Sequence, residues 1–230
     1  PLGYLPPLLR GARALVVERP EGAPLTTPDP PEAEAREVRL EVWLAADGSA
    51  VVAGEEALEG AAALQLREAR ARMPEAALRE RLESAYFGRY LPGARLTQLA
   101  FEHERATDRP FRLRYRLAVP QAATADGARR LFRVALFPAQ LGRSLAVLAR
   151  RTLLLQVGPL GPTRTTLVVH APPGHRLAAL PPTEARDTAF GRIALRAELL
   201  ADGARVTISL SAPFRLVPPA EYEAFTRFAA

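Results

Sequence analysis

The sequence predicts an α+β fold that is mainly antiparallel sheet, sandwich-like, with helices inserted among the strands and one helix closing the chain. Three observations carry this: several segments alternate apolar and polar residues with the period of a half-buried strand, Asp-Gly pairs stand between such segments, and the period changes to that of a helix in three places.

The elements follow in chain order. Residues 1–17, PLGYLPPLLRGARALVV, read as a turn-rich exit from something upstream. The proline-rich stretch ERPEGAPLTTPDPPEAEAR, residues 18–36, has no apolar period and reads as an extended linker. Together, 1–36 form an exit segment ahead of an α+β unit at 37–150 and a β-rich unit at 151–230. The junction is placed near Arg150-Arg151, and the two units can equally be one continuous sheet system.

In EVRLEVWLA, residues 37–45, Val38, Leu40, Val42 and Leu44 alternate with Arg39, Glu41 and Trp43. The pairs Asp47-Gly48, Asp126-Gly127 and Asp202-Gly203 each lie between strand-like runs and are expected to supply left-handed type I′ hairpin turns. Residues 61–87 are helix formers broken at Pro74, with Leu78, Leu82 and Tyr86 on one face and Glu75 paired to Arg79 on another. Strands resume with RLTQLAFEH and then FRLRYRLAV at 111–119. There Phe111, Leu113, Tyr115 and Leu117 point one way and Arg112, Arg114 and Arg116 the other. Those arginines are either a cationic stripe for an anionic partner or a solvated outer face, and like charges two residues apart fit the solvated face better.

A helix is expected over AQLGRSLAVLAR, with Leu141, Leu145 and Leu148 on one side. TLLLQV, TRTTLVVHA, FGRIALRAELL and ARVTISLSA read as further strands. PPAEYEAFTRFAA closes the chain as a helix started by Pro218 and Pro219, whose aromatic face of Tyr222, Phe225 and Phe228 must pack on something.

Composition narrows the function classes. The 230 residues include no cysteine, which removes thiol nucleophiles, thiolate metal sites and disulfides. Lysine and asparagine are also absent, so arginine carries all the basic charge, the signature of a GC-rich genome rather than of a function. The formal charge of +6 is spread along the strands, and neither nucleic-acid motifs nor stacking platforms accompany it, so no nucleic-acid partner is expected. No run of apolar residues reaches the length of a membrane helix, and none marks a signal peptide.

Candidate chemistry is sparse. His103-Glu104 opens a zinc-helix pattern, but Thr107 stands where the second histidine belongs. His170 and His175 flank APPG without an obvious third ligand, so no metal or cofactor is expected. GPLGPTRTT has the wording of a phosphate loop, but Pro159 and Pro162 remove amide donors and no lysine is available. No serine sits in a nucleophile elbow. Glu55 and Glu56 are adjacent on a strand and therefore face opposite sides.

The wording of several segments nevertheless resembles a family. LPPLLRGARALVV with the proline-rich linker, ARRTLLLQVGPLGPTRTTLVVHAPPGHRLAALPP, FGRIALRAELLADG and VPPAEYEAFTRF resemble the region after the catalytic core of bacterial transglutaminase-like proteins. Such proteins carry a papain-like Cys-His-Asp core between β-rich domains of unknown function. The resemblance covers nearly the whole chain and transfers no active-site residue. It implies a non-catalytic accessory role in the periplasm or cell envelope, packing on an upstream core of the same protein or on an envelope protein. Trp43, Arg112, Arg114, Arg116, Tyr222, Phe225 and Phe228 are the candidate interaction residues. The alternative is a free-standing β-sandwich that binds glycan or peptide through exposed Trp43, Tyr86 and Tyr90.

Overall fold

A computed structural model describes residues 5–6, 9–15, 24–28, 34–127, 129–158 and 160–230. Most of the 1–36 segment lies outside these residues. Within its described parts, β1 (Arg13–Ala14) and β2 (Leu25–Thr26) pair antiparallel. Arg10 is bonded to Glu34 at 2.6 Å, and the same carboxylate accepts from the amide of Ala61 at 2.9 Å. The described part of the exit segment is thereby tied to the folded unit.

The fold is α+β, built on one eight-stranded sheet. Its first half comprises β3 (Arg36–Leu44), β4 (Ala50–Leu58), β5 (Arg95–Glu102) and β6 (Phe111–Val119). A ribbon of β7 (Ala123–Asp126) and β8 (Arg129–Phe132) follows, and β9 (Leu155–Val157) leads to the second half. That half comprises β10 (Leu160–His170), β11 (Glu184–Thr188), β12 (Gly191–Leu200) and β13 (Gly203–Ala212), after which β14 (Arg215–Val217) returns to pair with β9. The spatial order is β11-β12-β13-β10-β3-β4-β6-β5, and β10 against β3 is the parallel pair that joins the two halves. The residues on either side of Arg150-Arg151 therefore share one sheet.

One face of the sheet is buried. Val38, Leu40 and Val42 of β3, Val52 and Leu58 of β4, and Phe111, Leu113, Tyr115 and Leu117 of β6 all point into it, as their alternation predicts. Over this half lie α1 (Gly60–Arg72) and α2 (Glu75–Arg81), split by Pro74. A widened helical turn at Leu82–Phe87 continues α2, with the amide of Gly88 reaching the carbonyl of Glu83 at 2.8 Å. The widening aims two consecutive rings at the core: Tyr86 stacks on Phe137, and the Phe87 centroid lies 4.5 Å from that of Tyr115. Over the other half are the segment 133–140, α3 (Leu141–Leu145) and α4 (Tyr222–Ala229), which follows a short 3-10 turn begun by the closing prolines.

Several local expectations are corrected. The helix expected over AQLGRSLAVLAR stops at Leu145, since Val147 and Leu148 are exposed and offer no apolar face to bury. TLLLQV is strand only at Leu155–Val157. Glu75 pairs with Arg70 at 3.3 Å instead of with Arg79, whose guanidinium donates to the Leu96 carbonyl.

The three Asp-Gly sites do lie in hairpin connections, but none has type I′ geometry at the pair. In the first, the five-residue loop 45–49 places only Gly48 at positive φ, and the Asp47 carboxylate accepts from the Ser49 amide at 2.9 Å. In the second, Asp126 is already paired with Arg129, and Gly127 takes the positive φ. In the third, Leu200 pairs with Gly203, so the turn is Ala201-Asp202 and the glycine serves another purpose. A Cβ on Gly203 would sit 1.8 Å from the Val169 carbonyl oxygen.

Gly54 has a comparable role in the core. It lies opposite Tyr115, whose ring covers it, and an added Cβ would stand 2.2 Å from the ring. Gly54→Ala is expected to cost about 2 kcal/mol of unfolding free energy by overpacking. Urea denaturation checks this, and a loss under about 0.5 kcal/mol contradicts it.

Candidate functional site

The buried face carries a polar group where the two halves of the sheet meet. Glu56 of β4 has no exposed surface and is the buried charged residue among those described. Alternation along β4 sends Glu55 outward and Glu56 inward, the opposed placement that adjacent strand residues require. Three donors converge on Glu56. Arg36 of β3 lies at 2.8 Å, the Tyr86 hydroxyl at 2.9 Å and the Tyr115 hydroxyl at 3.0 Å. Arg36 also donates to the Tyr86 oxygen, so the four groups form a closed network. Burial works against the Arg36 charge, but the Glu56 carboxylate outweighs it and holds the guanidinium pKa above its ordinary value. Burial, then the neighbouring Glu56 charge, pushes both tyrosines well above the usual phenol range.

Arg36 and Tyr86 also stand in a partition. On one side a cavity of about 310 Å³ lies between the helices and the sheet, with Glu56 and Leu113 in its wall. On the other, a groove of about 680 Å³ runs over the inner face of β10, β13 and β12. Its floor is two rows of side chains set by the register: Thr163, Leu210 and Ile193, and beside them Thr165, Ile208 and Leu195. Arg36 is the next residue of the first row on β3, and Arg186 ends that row on the edge strand β11. The segment 135–141 and the end of α4 form the wall.

The outer face is polar and paired. Arg112 contacts Glu55 at 2.8 Å, while Arg114 contacts Glu55 at 3.0 Å and Glu102 at 2.7 Å. The Arg116 guanidinium lies 5.6 Å from the Trp43 ring centroid, and Trp43 is in turn stacked on His170 at 5.5 Å. Of the candidate interaction residues, Trp43, Arg112, Arg114 and Arg116 thus share the outer face. Tyr222, Phe225 and Phe228 do not: all three are buried with Phe190 in the core around α4. Trp43 is likewise separated by the sheet from Tyr86 and Tyr90, which lie on the helical side, where the Tyr90 ring meets Phe137 edge-on at 5.6 Å.

His103, at positive φ, follows β5 and contacts the Pro110 carbonyl at 3.0 Å. His175 contacts the Pro173 carbonyl. His170 is held between two carboxylates, with Asp202 at 2.7 Å from Nδ1 and Glu41 at 3.0 Å from Nε2. Among the described residues no group of three or more His, Asp or Glu side chains could hold a metal. The cluster was missed in the sequence because its members lie on three different strands and turns.

Exposed aliphatic side chains concentrate elsewhere. Val147, Leu148, Leu153 and Leu154 are all more than half exposed, and Phe214 and Leu216 are close to half exposed. Gln156 and Leu216 are paired on the β9–β14 ribbon, which Leu154 and Phe214 immediately precede on its two strands. The loop is anchored beneath, where the Tyr222 hydroxyl donates to the Leu148 carbonyl at 2.9 Å and the Arg151 guanidinium covers the Tyr222 ring.

No family model, curated protein or solved structure matches this chain.

His170 gives the structure a pH response. Partial burial disfavours its charge, but the hydrogen bonds to Asp202 and Glu41 prevail and raise its folded pKa above 6.5. The stabilisation is therefore complete below the unfolded pKa and is lost as pH rises through the folded one. The Asp202 pKa is lowered, mainly by the same hydrogen bond, so its contribution disappears instead as pH falls through its folded value. Thermal melts of wild type and His170→Gln should differ most near pH 6 and converge above about pH 9. A constant difference across that range contradicts the assignment.

Proposed function

We propose that this chain is a non-catalytic interaction domain, packing on a transglutaminase-like core of the same protein or holding that core to a cell-envelope partner. The observation that carries this reading is the exposed aliphatic surface of residues 147–154 with Phe214 and Leu216. Ordering six apolar side chains at a surface, four of them on a loop pinned from below, is costly in water and becomes favourable when a partner covers them. The ionisable residues support the same reading. Glu56 is saturated by donors, and the outer-face carboxylates of Glu55, Glu102 and Glu41 are each engaged by a cation or by His170. Glycan or peptide capture by Trp43, Tyr86 and Tyr90 has less support, since these rings stand on opposite sides of the sheet and do not make one groove.

Site-specific photo-crosslinking in the source cells tests the proposal. A photoreactive residue at Leu153 is expected to give one discrete adduct with a transglutaminase-like segment or an envelope protein, while one at Arg164 on the outer face gives none. An adduct from Arg164 with none from Leu153, or none from either, overturns it.

A further inference from the structure

The groove over β10, β13 and β12 supports an inference separate from the interaction surface. We infer that it is a binding site for a long-chain carboxylate, with the anionic head at Arg36 and the alkyl tail lying across the strands over Leu210, Ile208, Ile193 and Leu195.

Size and shape come first. The groove holds about 680 Å³, inside the range of roughly 300–1,000 Å³ typical of small-molecule sites. From β3 to β11 it crosses four inter-strand steps of about 4.8 Å, so its length is on the order of 19 Å. That is a long, narrow trough, and an extended chain fits it better than a compact ligand.

The lining then selects the chemistry. Ile193, Leu195, Ile208 and Leu210 are only partly buried, although they occupy the inward positions that in the first half of the sheet are filled by Leu58, Leu113 and other buried residues. Between them the floor offers only the hydroxyls of Thr163 and Thr165. A peptide laid there would leave most of its backbone amides and carbonyls without partners, each at a cost. An alkyl tail has no such groups.

The inner end carries charge. Arg36 lines the groove with 28% of its side chain exposed, and its bonds to Glu56 and to the Tyr86 oxygen are both made through Nη2. Glu56 already offsets part of the Arg36 charge from behind, so the position suits a singly charged carboxylate rather than a doubly charged phosphate. At the outer end the Arg186 guanidinium donates to the Arg227 carbonyl and Glu184 stands on the same side of β11, so that end carries both signs, whereas Arg36 is the cation at the inner end.

Isothermal calorimetry with dodecanoate and dodecanol on the whole chain tests this. Dodecanoate should bind saturably at one site, and dodecanol, lacking the charge, at least tenfold more weakly. Ile208→Trp, which fills the trough, should lower dodecanoate affinity at least tenfold, whereas Thr207→Trp on the outer face should leave it unchanged. If Ile208→Trp does not fold, methyl NMR of the wild type replaces it, with dodecanoate shifts expected at Ile193, Ile208 and Leu210. Absence of saturable binding, equal affinity for dodecanol, undiminished binding by folded Ile208→Trp, or methyl shifts confined to other residues each overturns the inference.

Discussion

A carboxylate with no exposed surface, Glu56, sits at the point where the helical layer, the first half of the sheet and the parallel junction to the second half come together. Its partners come from three elements: Arg36 begins β3, Tyr115 lies in the middle of β6, and Tyr86 comes from the widened turn after α2. A buried charge is tolerable only when it is paired and its lone pairs are used, and here four groups meet that condition together. Other features of the fold follow from that need. Gly54 lacks a side chain so that the Tyr115 ring can cross it toward Glu56, and the widened turn rotates Tyr86 onto the carboxylate while keeping Phe87 in the core.

The same network divides the inner face into two environments. On one side the sheet is closed by helices; on the other it is left as a groove with an apolar floor. Arg36 faces both, which places a fixed cation at the inner end of a trough whose middle is floored by Ile193, Leu195, Ile208 and Leu210. The outer face follows a different rule. Its arginines and acids answer one another across adjacent strands, and such exposed pairs contribute little stability individually while keeping the surface charged and solvated. The aliphatic residues around 147–154 stand apart from both faces, and that contrast gives them their meaning.

Much of the fold was legible in the sequence. The strict alternation of Val38–Leu44 and of Phe111–Val119 identified the inward residues of the central strands, and Pro74 and Pro218 marked helix starts. What could not be read was long-range. The parallel pairing of β3 with β10 joins residues more than a hundred positions apart, and nothing in either strand's period specifies it. Local turn chemistry misled in a related way: Gly203 looked like a turn residue, while its real constraint is the approach of Val169 from a neighbouring strand. The candidate site suffered most. Glu55 and Glu56 could be read as facing opposite sides, without which of them points inward, while Arg36 closes a linker, Tyr86 lies on a helix face and Tyr115 in an alternating strand, so only the assembled sheet brings them together. Trp43 and the arginines of β6 come to one face only through the register of β3, β4 and β6, whereas Tyr222, Phe225 and Phe228 are spent on the core.

The account depends on Glu56 being a paired, buried charge that binds the layers together. The most direct test is the unfolding free energy of Glu56→Leu in urea, which keeps the volume similar and removes the carboxylate. Leaving Arg36 and both tyrosines without their acceptor should lower stability by about 3 kcal/mol or more. A loss below about 1 kcal/mol, or a gain, would mean that apolar packing alone holds the helices to the sheet and that the network is incidental.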